Sequence, residues 1–302
     1  MEKILETQRR FYRDEKNQFL ESVEEKLNEY GFEFERKQFR GIFKSVNLET
    51  KSTAHSEYIF IAHYDTGTKM PFWFSWLMKL FGVNYQILIM ILVVLFLRAD
   101  FDKLPDILGY VFIVIQSIFV ISIVLVFFPN RNNFDDNTSG IIALLQLAKK
   151  CKENGLDNVK FLFVDNEELG LFGSRAHRRD LRKRQLITPN SKIISIDCVG
   201  AGRIPLIIRN SKSHYEETFR KEFLNNYEIC KSIRLILPVS DNYSFRKYGA
   251  LNISFVNKAV IPNGYTIPKI HTSRDSSIDL NQIEKLTDVL ADIVDKNSIE
   301  FE

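Results

Sequence analysis

Apolar positions along the chain switch between helical spacing, alternation and unbroken runs, and the switches outline an α/β protein. Residues 3–30 place Ile4, Leu5, Phe11, Phe19, Leu20, Val23, Leu27 and Tyr30 at helical intervals, and Gly31 predicts the stop. Residues 32–35 alternate as a half-buried strand does, and a second strand is expected over 42–48. Three unbroken apolar runs, at 58–62, 161–164 and 193–196, read as strands buried on both faces of a parallel sheet. A helical run through Ile141, Leu144, Leu145 and Leu147 and another near 174–181 lie between them. Later come strands near 206–208, 233–237 and 253–256, a helix near 213–228, and a closing amphipathic helix with Ile283, Leu286, Leu290 and Ile293. The fold class expected is therefore α/β, with a mixed, mostly parallel central sheet flanked by helices.

The segment 71–129 breaks this pattern. Residues 81–97 carry no charge over 17 positions, and residues 107–128 carry none over 22. As helices they would reach roughly 25 and 33 Å, against a hydrocarbon core of about 30 Å. Residues 98–106 between them are short, charged and contain Pro105, as a hairpin turn requires. The stretch 71–79, rich in Trp and Phe, suits the membrane interface. The expectation is a transmembrane hairpin (71–129) inserted into one domain made of 1–70 and 130–302, with the lipid bilayer as a partner.

Composition excludes several classes. A net charge of +3, with Lys and Arg scattered along the chain, gives no footprint for nucleic acid. Three cysteines without metal-site spacing suit a reducing compartment and argue against a disulfide framework. The N-terminal residues are too charged for a secretory signal. Together with Lys69, Lys79 and Arg131 beside the hairpin, against Arg98 and Lys103 in its turn, they favour a cytoplasmic domain.

The chemistry gathers at the strand ends. The run 58–62 delivers His63 and Asp65, the run 161–164 delivers Glu167 and Glu168, and the run 193–196 delivers Asp197. Asp136 precedes a helix and His271 lies in a loop. Taken singly, each has an ordinary structural reading: Glu-Glu is a common surface dipeptide, and an Asp before a helix is usually a cap. Their shared position at the carboxyl ends of buried strands, where open α/β sheets place sites, makes a site worth proposing. Oxygen and imidazole ligands without thiolate suit zinc or a similar divalent ion.

The ordered motifs HYDT, DDNTSG, NEELGLFGS, SIDCVG and IHTSRDS resemble the co-catalytic zinc aminopeptidase family, which also contains carboxypeptidases and glutaminyl cyclases. The resemblance covers residues 57–70 and 130–290. It implies two zinc ions bridged by Asp136, one completed by Glu168 and His271, the other by His63 and Asp197. Glu167 would be the general base, and Asp65 would orient His63. Ser240-Asp241-Asn242 resembles the family's Ser-Asp-His stretch but departs from it at Asn242. The implied activity is hydrolysis of N-terminal peptide bonds in peptide substrates. A glutaminyl cyclase built around one zinc is the alternative enzyme, and a non-catalytic membrane scaffold on the same fold is a third reading.

Overall fold

The structure, a computed structural model, describes residues 2–51, 56–100 and 105–299. Its sheet contains β1 (Phe34–Phe39), β2 (Ser45–Thr50), β3 (Tyr58–His63), β4 (Val159–Val164), β5 (Lys192–Ile196), β6 (Ile204–Arg209), β7 (Lys231–Arg234), β8 (Leu251–Lys258) and β9 (Tyr265–Thr266). The strand order is β1-β2-β4-β3-β5-β8-β6-β7, with β9 paired to β8. The central four, β4, β3, β5 and β8, are parallel, and antiparallel strands border them. Every residue of β3 and β4 is buried, which is why their sequences are unbroken rather than alternating.

Helices cover both faces. α2 (Arg13–Glu29), α6 (Gly140–Glu153) and α9 (Leu280–Ile299) share one apolar cluster with the sheet through Phe19, Leu144, Phe60, Phe161 and Leu286. On the other face, α7 (Phe172–Lys183) packs through Leu181 against Ile59, Leu162 and Ile193. α8 (Glu216–Asn226) adds Phe219 and Phe223 to the first cluster.

The single helix expected over 3–30 is two, α1 (Glu2–Glu6) and α2, separated by an irregular strap at 7–12. Tertiary hydrogen bonds override helical spacing there. Arg10, wholly buried, donates from Nε to the Tyr64 carbonyl (2.5 Å) and from Nη1 to Thr138 Oγ1 (2.8 Å). Thr66 Oγ1 accepts from the Arg10 amide at 3.0 Å. β2 starts at Ser45 rather than at 42, because Ile42 is 84% exposed and contributes no core contact.

Within 71–129 the structure has α3 (Phe72–Phe81), α4 (Gln86–Arg98) and α5 (Asp106–Ser122). The apolar stretch expected to be continuous over 81–97 breaks at Gly82, and the two arms bend by 101°. Gly82 has φ +80, and a Cβ there would lie 2.5 Å from the Tyr265 backbone. α3 seats its Met78 on the cluster of Leu206, Ile208 and Tyr265. One continuous helical stretch, Asp106–Phe127, is long and apolar enough to cross a membrane, and none of its apolar window is buried. At the foot of the insertion Thr68 bridges Pro129, and Lys69 N donates to the Phe128 carbonyl at 2.9 Å.

Candidate metal centre

β3 ends on His63 and β4 leads through Asp165 and Asn166 to Glu167 and Glu168; the parallel register sets His63 beside Val164. Asp197 follows β5, the other neighbour of β3. Asp136 arrives from a different direction, on the irregular turn Phe134–Ser139 that enters α6. That turn is laced to the end of β5. Asn137 Nδ2 donates to the Ile196 carbonyl (3.0 Å), the Val199 amide donates to Ser139 Oγ (2.9 Å), and the Gly200 amide donates to Asp135 Oδ1 (2.6 Å). Asp136 is thereby held beside Asp197, and the Asp136–Asn137 peptide is cis.

Two groups of three result. His63, Asp136 and Asp197 offer ligand atoms within 4.8 Å of one another, as do Asp136, Glu168 and His271. His63 Nε2 lies 3.4 Å from Asp136 Oδ1 and 3.6 Å from Asp197 Oδ1. His271 Nδ1 lies 3.6 Å from Asp136 Oδ2 and 3.7 Å from Glu168 Oε1. These separations exceed good hydrogen bonds. They are close to the ~3.3 Å edge between two ligands that each lie about 2.0 Å from a tetrahedral ion. The buried atoms Glu168 Oε1, Asp197 Oδ1 and His271 Nδ1 also have no hydrogen-bond partner. Buried carboxylate and imidazole atoms left so are costly unless a cation completes them, so the residues fit a pair of divalent ions.

Two carboxylates hold this frame without belonging to either group. Asp65 accepts the Glu167 amide on Oδ1 (3.0 Å) and the Glu168 amide on Oδ2 (3.2 Å). His63 Nδ1 lies 3.1 Å from the Asp65 carbonyl oxygen and 3.6 Å from its carboxylate. A proton on Nδ1, donated to that carbonyl, leaves Nε2 facing Asp136 and Asp197. Asp275 repeats the device on the turn that enters α6, accepting the Asp135 amide (2.8 Å) and the Asp136 amide (3.1 Å). Three residues with positive φ, Asn166, Cys198 and His271, sit at or beside the ligands. Such strained backbone persists where surrounding bonds fix it.

Titration reflects the crowding. Burial pushes the Glu168 carboxyl up to about 8, with Asp136 and Asp65 adding to the rise against His271 and His63. Burial likewise drives Glu167 well above the usual carboxylate range; His63 opposes the shift, and Glu168, Asp241 and Asp197 add to it. Burial alone would lower His63, but Glu167, Asp136, Asp197 and Asp65 raise it well above its ordinary value.

The model of peptidase family M28 matches residues 128–294, more than half of the chain. The chain belongs to peptidase family M28. Among solved structures it is similar to a leucine aminopeptidase precursor from Bacteroides thetaiotaomicron, at 14% identity and TM-score 0.61, covering 97% of this chain and 93% of that one. It is also similar to a Zn-dependent exopeptidase from Parabacteroides distasonis, at 12% identity and TM-score 0.60, covering 96% and 94%. A glutaminyl cyclase from Porphyromonas gingivalis gives 14% identity and TM-score 0.63, covering 98% and 95%. At such identities these likenesses concern the fold. No curated protein sequence matches the chain significantly.

Sequence reasoning missed two contributors to this M28 site, Asp275 and Arg10. Asp275 stands inside the IHTSRDS motif, and its spacing from His271 was the available signal. Arg10 gave no signal, since it reads as the polar face of a helix. Asp241, in the stretch noted in the sequence, is fully buried, and burial lifts it to about 7 despite the opposing charge of His63 and a hydrogen bond from Ser174. Asn242, where the chain departs from the family's histidine, donates instead to Asn210 Oδ1 at 3.0 Å.

Proposed function

We propose that this M28 peptidase is a membrane-anchored zinc aminopeptidase that releases N-terminal residues from peptides. One observation carries the reading: two ligand groups share Asp136 and stand beside a glutamate that neither group uses. His63, Asp136 and Asp197 would hold one zinc ion, and Asp136, Glu168 and His271 the other. When bound, the two cations would lower the pKa of the attacking water and stabilise charge developing on the scissile carbonyl. Glu167 takes a proton from the attacking water and returns it to the leaving amine. Asp65 positions base and ligand together by gripping both their amides. The peptidase domain comprises 1–70 and 130–302, and the insertion 71–129 enters the bilayer.

The test is metal content beside activity. Purified protein should carry about two zinc ions per chain and hydrolyse aminoacyl substrates. Asp136→Ala should lose most of both ions, because its two carboxylate oxygens serve both groups. Active protein that retains one ion, and that cyclises an N-terminal glutamine peptide, would instead establish the cyclase reading.

A further inference from the structure

A cavity of about 340 Å3 reaches the candidate metal centre at one ligand, Glu168, with Asp65, which holds that residue's amide, beside it in the wall. Its other walls come from the start of α2 and the strap before it, the start of β2, and the foot of the insertion at Met70 and Val126. The size falls at the low end of the roughly 300–1,000 Å3 typical of small-ligand sites, which suits a short segment of peptide.

The charges lining it divide into used and unused. Asp165 is spent on Lys16 (2.6 Å) and on the amides of Val46 and Asn166 (3.1 and 2.9 Å). Asp65 is spent on the amides of Glu167 and Glu168. Arg13 and Lys44, both exposed on the rim, have no carboxylate partner among the described residues. The Lys44 carbonyl accepts from Asn166 Nδ2 at 3.1 Å, which fixes where that side chain begins relative to Glu167. A rim with two free cations repels an α-ammonium group and attracts a carboxylate. The amino end of a substrate therefore belongs among the acids Asp197, Asp241 and Glu167. The part beyond the scissile bond belongs in this cavity.

We propose that the cavity is the leaving-side subsite, and that Arg13 and Lys44 select substrates with a free carboxylate on the residue after the scissile bond. A dipeptide's C terminus or an acidic side chain supplies that group. The proposal rests on the peptidase reading for its orientation, and its binding chemistry is testable apart from turnover. Glu167→Gln protein, in which turnover is slowed, is titrated calorimetrically at low salt with Ala-Ala and with Ala-Ala amide. A second pair, Ala-Asp amide and Ala-Asn amide, separates the terminal carboxylate from the side-chain one. The carboxylate member of at least one pair should bind about five- to tenfold more tightly, as two exposed cations allow. Adding Arg13→Gln and Lys44→Gln should remove that preference and leave binding of the amide unchanged. With Glu167 intact, the same two substitutions should raise KM for the carboxylate substrate and spare kcat. Equal binding within both pairs, or a preference that survives both substitutions, overturns the subsite. A preference present and charge-dependent while no peptide is hydrolysed keeps the subsite and sinks the peptidase reading.

Discussion

The roles proposed for the neighbours Glu167 and Glu168 differ because Asp65 fixes both their amides while only Glu168 belongs to a ligand group. Glu168 points its Oε1 at His271, 3.7 Å away, whereas Glu167 belongs to neither ligand group. Glu167→Gln should therefore lower turnover about 10²–10⁴-fold and leave zinc content unchanged. Parallel measurement of kcat and bound metal checks this, and undiminished kcat removes Glu167 as the base. Gly67 controls the other carboxylate. A Cβ at Gly67 would lie 2.5–2.7 Å from the Glu168 carboxyl atoms, so that carboxyl must move. Gly67→Ala is expected to weaken zinc at the Glu168–His271 group by about 10–100-fold, the loss typical when a ligand's surroundings are disturbed. Zinc at the His63–Asp197 group should remain, and equilibrium dialysis would find about one ion per chain. Loss of neither ion would show that Glu168 is free to swing aside.

Between elements, the best-defined polar contact away from the site joins β2 to α7. Glu49 is buried and accepts from His177 Nε2 (2.8 Å) and from both Nη atoms of Arg184 (2.8 and 2.7 Å). His177 Nδ1 in turn accepts from Asn47 Nδ2 at 3.1 Å, so the ring is neutral. Burial would raise the Glu49 carboxyl, but hydrogen bonds from His177 and Arg184 outweigh it and hold the group down at about 2. Burial lowers His177, with Glu49 opposing. Both folded values lie below the unfolded ones, so both contributions are present at neutral pH and lost on acidification. For His177 the loss begins as pH falls below 6.5, and for Glu49 it runs from about 4.5 down to about 2. Glu49→Gln should cost roughly 3–5 kcal/mol near pH 7, as breaking a buried pair does, and the deficit relative to wild type should shrink between pH 4.5 and 2. Thermal melts at several pH values test this, and a deficit independent of pH would contradict it. The elements themselves were largely legible. Strands β3, β4 and β5 are buried on both faces, and their unbroken apolar runs locate them within a residue or two. The strap at 7–12 was not legible, because nothing local distinguishes an Arg10 that spans to Tyr64 and Thr138 from one on a helix surface. Position at strand ends brought the ligand candidates to notice, while their grouping into two sets depends on the lacing of the Asp136 turn to β5, a contact between segments some sixty residues apart.

At the scale of the molecule, the insertion and the site share a boundary. The Met70 amide donates to the His271 carbonyl at 3.2 Å, and Asn130 Nδ2 donates to the Thr272 carbonyl at 3.2 Å. The foot of the insertion thus holds the loop that carries a ligand. Above that foot, α4, α5 and the helical turn Ile123–Phe127 that continues α5 expose Met90, Leu95, Ile107, Val114, Ile121 and Phe127, each at least 56% accessible. A soluble protein rarely leaves so continuous an apolar surface in water, and the 22 residues of Asp106–Phe127 are enough to span a bilayer core of about 30 Å. The two ends of the insertion meet at the Thr68–Pro129 bridge, so the peptidase domain must lie wholly on one side of any membrane that α5 enters. By sequence, Lys69, Lys79 and Arg131 near the domain outnumber Arg98 and Lys103 between the two apolar stretches, the basis for the proposed cytoplasmic side; Lys103 lies outside the described residues. The leaving-side cavity, with Met70 and Val126 in its wall, would then open close to the lipid surface, where membrane-attached peptides are concentrated. The expected outcome is that the protein stays with the membrane fraction through high-salt washing and is released by detergent. Protease added outside intact spheroplasts should leave the peptidase domain whole, and protease added to inverted vesicles should digest it. Release by salt alone would refute the spanning hairpin, and digestion from outside intact cells would reverse its orientation.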